Sequence, residues 1–261
     1  MRKVVAVLAG LLALSLTCAA SAASKPAFAD WAAVVVAGDY AGAHGTGDTE
    51  AFDNARRDIA RSLVENLGFS PDNVREFSVR PDRYTPTPGR STLFTVQNSL
   101  LQQASKAKSG CLVYFTSHGT EYGAFLNAEN KNNGTIIFPT VMADLVNSAC
   151  PGRPTIVIIS TCFSGVNVPA LRQKDRLVMT AARKDRSSFG CGESNVYPYF
   201  DECFLEASKS AKDFSAIPAA VTACVSRMER ETGMSPPSEP QVSIGPEIRP
   251  LLPLYAFPKE R

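Results

Sequence analysis

Six short apolar or alternating runs punctuate the chain, and stretches of helical period separate them. WAAVVVA (Trp31 to Ala37), VREFSV (Val74 to Val79), CLVYF (Cys111 to Phe115), TIVIIS (Thr155 to Ser160) and LVMTA (Leu177 to Ala181) read as strands. A last candidate strand, Gln241 to Ile244, follows the proline-rich stretch Ser235 to Pro240. Between Phe52 and Leu67 the apolar residues Phe52, Ile59, Leu63 and Leu67 fall on one helical face, and Gly68 marks the stop. Thr92 to Ala107, Val141 to Ala149, Tyr199 to Ser210 and Ile217 to Glu231 read as further helices. Two stretches read as loops: the polar, glycine-rich Asp39 to Asp48 and the turn-rich Pro81 to Gly89.

Strands that alternate with helices indicate βαβ units, and near-continuous apolar strands indicate a sheet covered on both faces. The expectation is an α/β fold: a three-layer α/β/α sandwich around a mostly parallel sheet of about six strands. The pattern shows neither an internal repeat nor a second domain.

The first residues have a different pattern. Arg2 and Lys3 precede an apolar run from Val4 to Leu16, and Ala20-Ser21-Ala22 fits a small-residue cleavage site. The run is shorter than the roughly 20 residues a membrane-spanning helix needs. Residues 1–22 are therefore expected to be a signal peptide and residues 23–261 a single exported domain, periplasmic or secreted. A retained N-terminal anchor is the competing reading, and Ser15-Leu16-Thr17 before Cys18 makes a poor lipoprotein signal.

Charge is nearly balanced, with 27 Lys+Arg against 25 Asp+Glu, and no basic cluster stands out. That argues against nucleic acid or an anionic membrane surface as partner. Without the leader, six of the seven cysteines remain: Cys111, Cys150, Cys162, Cys191, Cys203 and Cys224. If one is kept as a working thiol, at least one more stays unpaired within the chain. Cys111 with Cys150, and Cys203 with Cys224, are candidate pairs, although spacing alone does not set connectivity.

In open parallel sheets reactive side chains gather at the carboxyl ends of strands. CLVYF runs into Thr116-Ser117-His118-Gly119, and TIVIIS runs into Thr161-Cys162-Phe163-Ser164-Gly165. A thiol needs a partner that takes its proton, and imidazole does so near neutral pH. Adjacent strands would bring His118 and Cys162 together, with the amides of Gly119 and Cys162 facing a developing oxyanion. Alone, a cysteine at a strand end is usually a small buried hydrophobe and a His-Gly an ordinary turn. The two together, in this order and context, form the sharper signal.

These segments resemble a known family. YFTSHG (Tyr114 to Gly119) and IVIISTCFSG (Ile156 to Gly165) are similar to the His-Gly and Cys-x-Ser-Gly blocks of legumains. TAARKDRSSFGC (Thr180 to Cys191) is similar to a third block of that family, and the likeness extends over about residues 31 to 203. The 44 positions between His118 and Cys162 are close to the roughly 50 of caspases. The resemblance implies a bacterial, exported member of the legumain/hemoglobinase family of caspase-like (clan CD) cysteine peptidases. Its activity would be endopeptidase action on peptides or proteins through a Cys162–His118 dyad, with neither cofactor nor metal.

The same resemblance implies substrate-binding positions, and here the chain departs from the pattern. The pocket arginine of the family is replaced by Thr49, and the acid two residues before the nucleophile is Ser160. Ser188 matches the second serine of the Ser-Ser pair, and Asp201 stands for the remaining pocket acid. Loss of the arginine predicts a basic or small polar residue before the scissile bond rather than Asp. Asp39, after the first strand, occupies the region that orients the histidine; it reads either as that orienting group or as a turn residue. A zinc site with His44 lacks ligand spacing. Peptide ligation by the same acyl-enzyme, and a silent peptide-binding relative, are the alternative functions.

Overall fold

The seven residues of β1 (Trp31–Ala37) are all buried, and the first six divide between two cores by strict alternation. Ala33 and Val35 point into one hydrophobic cluster, and Ala32, Val34 and Val36 into the other. The computed structural model, which describes residues 25–43, 47–126 and 135–258, is built outward from this strand. The apolar run at the N-terminus, His44 and the Glu129 to Gly134 loop lie outside the described residues.

In chain order the elements are β1, α1 (Ala51–Glu65), β2 (Val74–Ser78), β3 (Gly89–Arg90), α2 (Leu93–Lys106), β4 (Gly110–Thr116), β5 (Gly119–Thr120), β6 (Gly123–Leu126) and β7 (Thr135–Ile137). They continue with α3 (Pro139–Ala149), β8 (Thr155–Ser160), α4 (Val168–Leu171), β9 (Arg176–Thr180), α5 (Tyr199–Ser210), α6 (Ile217–Glu231) and β10 (Gln241–Ile244). The main sheet has seven strands in the order β10-β9-β8-β4-β1-β2-β3. All neighbours are parallel except β10, which runs antiparallel to β9.

Helices cover both faces, as the apolar strands required. Ala55, Ile59 and Leu63 of α1 join Phe200 and Phe204 of α5 and Val221 and Val225 of α6 over one face. Val96 and Leu100 of α2, Met142 and Val146 of α3 and Leu171 of α4 cover the other. Each fully buried Val, Leu or Ile removes enough apolar surface from water to contribute roughly 1.5–3 kcal/mol. Phe28, Trp31 and Phe69 meet edge to face or stacked at 4.8 and 4.9 Å from Phe28, closing the bottom of the first core.

Two disulfides add covalent ties. Cys111 at the start of β4 is bonded to Cys150 at the end of α3, and Cys203 of α5 to Cys224 of α6. Cys162 and Cys191 are the free thiols among the described residues. Among those residues no helix is long and apolar enough to cross a membrane.

Two features differ from the expected pattern. The expected loop Pro81 to Gly89 ends in the two-residue edge strand β3, which brings the sheet to seven strands. The chain after His118 forms a separate three-stranded sheet, β5-β6-β7. Its strands are two to four residues long, too short for a period to show.

Candidate active site

The site starts from strand register. β4 and β8 are parallel neighbours, with Thr116 opposite Ser160, so the chain leaves both strands at the same height. The Ser117 amide extends the pairing by donating to the Ser160 carbonyl at 3.1 Å. His118 and Cys162 each lie two residues beyond that matched pair.

The two loops then touch backbone to backbone. A β-carbon built on Gly119 would fall against the Cys162 carbonyl and 2.7 Å from Thr161 Oγ1. Only glycine permits that approach.

The His118 imidazole is fixed on two sides. Its Nε2 lies 2.9 Å from the Ala41 carbonyl oxygen, and the Phe52 ring of α1 meets it edge to face at 5.1 Å. A carbonyl only accepts, so Nε2 carries the hydrogen and Nδ1 is left as the basic nitrogen of the neutral ring. Asp39, read either as the orienting group or as a turn residue, acts through the backbone. Its Oδ1 accepts the amides of Tyr40 at 2.7 Å and Ala41 at 3.0 Å. This Asx-type turn is what carries the Ala41 carbonyl to the imidazole.

Cys162 is half-buried. The Ser188 amide donates to its Sγ at 3.3 Å, and the Ser188 carbonyl and Oγ lie at 3.5 and 3.6 Å. The next residue, Phe163, has a left-handed backbone with φ 57°, unusual for a bulky side chain. Neighbouring bonds hold the conformation: Phe163 N to Arg186 O at 2.8 Å, Gly165 N to Ala182 O at 2.9 Å and Ala182 N to Ser164 Oγ at 3.0 Å. The chain thus turns sharply at the thiol and presents it at the sheet edge.

The segment from Arg186 to Gly192 straps the site to the loop after β1. The Ala43 amide donates to the Cys191 carbonyl at 2.9 Å, and Thr49 Oγ1 donates to the Gly192 carbonyl at 2.9 Å. Burial, followed by the nearby Cys162 and Asp39, pushes the Cys191 thiol up to about 12.

Three of the four expected substrate-binding side chains lie beneath the cleft surface. Thr49 is 1% exposed and also accepts the Ala51 amide at the start of α1. Ser160 is 2% exposed, and Asp201 is 0% exposed. Both Asp201 oxygens are taken, Oδ1 by Tyr114 Oη and Oδ2 by Thr116 Oγ1, each at 2.6 Å. Burial raises its carboxyl to about 6 against the opposing pull of hydroxyls from Thr116, Tyr114 and Ser160. Ser188 alone of the four is only half-buried.

Sequence reasoning missed Ala41, Phe52, Tyr114 and Thr116. A backbone acceptor such as Ala41 has no side-chain signature. Phe52 reads as ordinary helix core, and Tyr114 and Thr116 lie 87 and 85 positions from the acid they serve.

The chain resembles known proteins in two ways. Residues 90–224, which span both loops and the strap, match the Peptidase C13 family model. The crystal structure of caspase-1 from Spodoptera frugiperda has the same fold, with a TM-score of 0.58 over 85% of this chain and 88% of that one. At 16% identity that likeness is one of fold. Among curated proteins there is no sequence match. With the family model covering just over half of its length, the chain belongs to the Peptidase C13 family and is a legumain-like cysteine-type peptidase.

Proposed function

We propose that the chain is an endopeptidase in which Cys162 is the nucleophile and His118 its acid–base partner. The observation that carries this reading is the shared register: Thr116 faces Ser160, and each reactive residue follows two positions later. The Cys162 sulfur gives its proton to His118 Nδ1 and attacks the scissile carbonyl carbon. The oxyanion of the tetrahedral intermediate is held by the amides of Gly119 and Cys162. His118 then protonates the departing amine, which leaves a thioester on Cys162. Water attacks the thioester as His118 accepts its proton, and collapse releases the acid and returns the thiol.

The residue before the scissile bond is read as small and polar. Thr49 stands where an arginine would favour Asp, and the sealed Asp201 offers no charge to a basic side chain. Ser188, beside the thiol, supplies polar contacts. The test is hydrolysis of matched peptides that differ only in Asp, Asn, Ser or Arg at that position. Preference for Asn or Ser by at least about tenfold in kcat/KM supports the reading, and preference for Asp or Arg contradicts it.

The domain is read as exported once residues 1–22 are removed. The two disulfides support this, since such bonds persist in oxidising compartments.

A further inference from the structure

Asp201 is the one acid among the expected site residues that is sealed from solvent on every side. It sits in the first turn of α5, yet its carboxylate reaches the sheet and bonds two hydroxyls of β4 at 2.6 Å each. Thr116 is two residues before His118 and is paired with Ser160, itself two residues before Cys162. The groups that act on the carboxylate are the hydroxyls of Tyr114 and Thr116 from β4 and of Ser160 from β8, with no charged side chain among them. A buried carboxylate is costly to keep unless every lone pair is used. This one is used to tie α5 to the strand ends that carry the reacting pair.

We propose that Asp201 is a positioning residue: through Tyr114 and Thr116 it fixes the carboxyl ends of β4 and β8, and so the spacing of His118 and Cys162, without touching substrate. The inference rests on the assignment of His118 and Cys162 as the reacting pair. It assigns the carboxylate a place under the catalytic strands, where the family resemblance had put it in the substrate pocket. The working form is the anion, which only accepts. Protonation turns one oxygen into a donor facing hydroxyls that already donate, so the clamp must rearrange.

The experiment compares wild type with Asp201→Asn, which mimics the neutral acid in shape. Steady-state kcat and KM are measured from pH 5 to 8 on substrates with Asn and with Arg before the scissile bond. The expected result is a kcat about 10–100-fold lower at pH 7.5, since sub-ångström misplacement of reacting groups is that costly, with KM changed less than about twofold on both substrates. The ratio of wild-type to variant kcat should fall toward one as pH drops through about 6 to 5, because both proteins then hold a neutral group. A ratio constant across pH, or a KM increase confined to the Arg substrate, overturns the proposal. Thr116→Ser, which keeps the hydroxyl, should retain wild-type kcat while Thr116→Val loses at least about fivefold; equal activities also overturn it. Cys162→Ala is the control for the underlying assignment. If that variant still cleaves, the assignment of the reacting pair fails, whatever Asp201→Asn does.

Discussion

His118 Nε2 lies 2.9 Å from the carbonyl oxygen of Ala41, so the orientation of the imidazole is set by main chain and not by a carboxylate. That carbonyl is itself aimed by Asp39, whose Oδ1 holds the amides of Tyr40 and Ala41. Asp39→Ala should therefore lower kcat/KM about tenfold by loosening the turn. Asp39→Asn keeps an oxygen acceptor and should stay within about threefold of wild type. Peptide hydrolysis by the two variants checks this. If Asn were as damaging as Ala, the charge and not the turn would be the operative feature.

The contact between Gly119 and the Cys162 carbonyl leaves no room for a β-carbon. Gly119→Ala must push the His118 loop away from the Cys162 loop. Activity should fall at least about 100-fold, with a loss of roughly 1–3 kcal/mol in urea unfolding from the overpacked backbone. Full activity in Gly119→Ala would mean that the two loops do not meet as described.

Burial of Asp201 has a sign in stability as well as in catalysis. Its carboxyl is raised from 3.8 to about 6 in the folded protein, so the fold binds the proton more tightly than the unfolded chain does. The stability this contributes is full below about pH 4 and is lost as pH rises through 6. Relative to Asp201→Asn, wild type should lose about 2 kcal/mol between pH 4 and pH 7. Urea unfolding of both proteins at several pH values measures that difference, in which the contributions of other carboxylates cancel.

The second free thiol should be inert. Cys191 is pushed up to about 12, chiefly by burial, and is neutral at any ordinary assay pH. Alkylation with iodoacetamide at pH 7.5, followed by peptide mass mapping, should modify Cys162 and leave Cys191 untouched until the protein is unfolded. Equal modification of both in the folded protein would contradict the raised pKa of the half-buried Cys191 thiol.

Most of the frame could be read in the sequence because a sheet buried on both faces writes itself as unbroken apolar runs. TIVIIS and WAAVVVA lie in the two central cores with every residue buried. The placement of His118 and Cys162 at neighbouring strand ends was legible for the same reason, since each follows such a run within three residues. Bonds between distant positions were not legible. An acid in the first turn of a helix usually serves that helix dipole, and nothing local says that Asp201 bonds to a strand formed 85 residues earlier. Thr49 and Ser160 look like pocket positions by family likeness, yet both are buried by the strap and the sheet. The β5-β6-β7 sheet is built from runs too short, and too rich in glycine, to carry a period.

The most direct test of the Cys162–His118 assignment is covalent labelling by a peptidyl acyloxymethylketone carrying Asn before the warhead. It would be applied to wild type, Cys162→Ala and His118→Ala, with the modified residue located by mass spectrometry. The account predicts stoichiometric modification of Cys162 in wild type, none in Cys162→Ala and labelling slowed at least about 100-fold in His118→Ala. Modification at another residue, or undiminished labelling of His118→Ala, would contradict it.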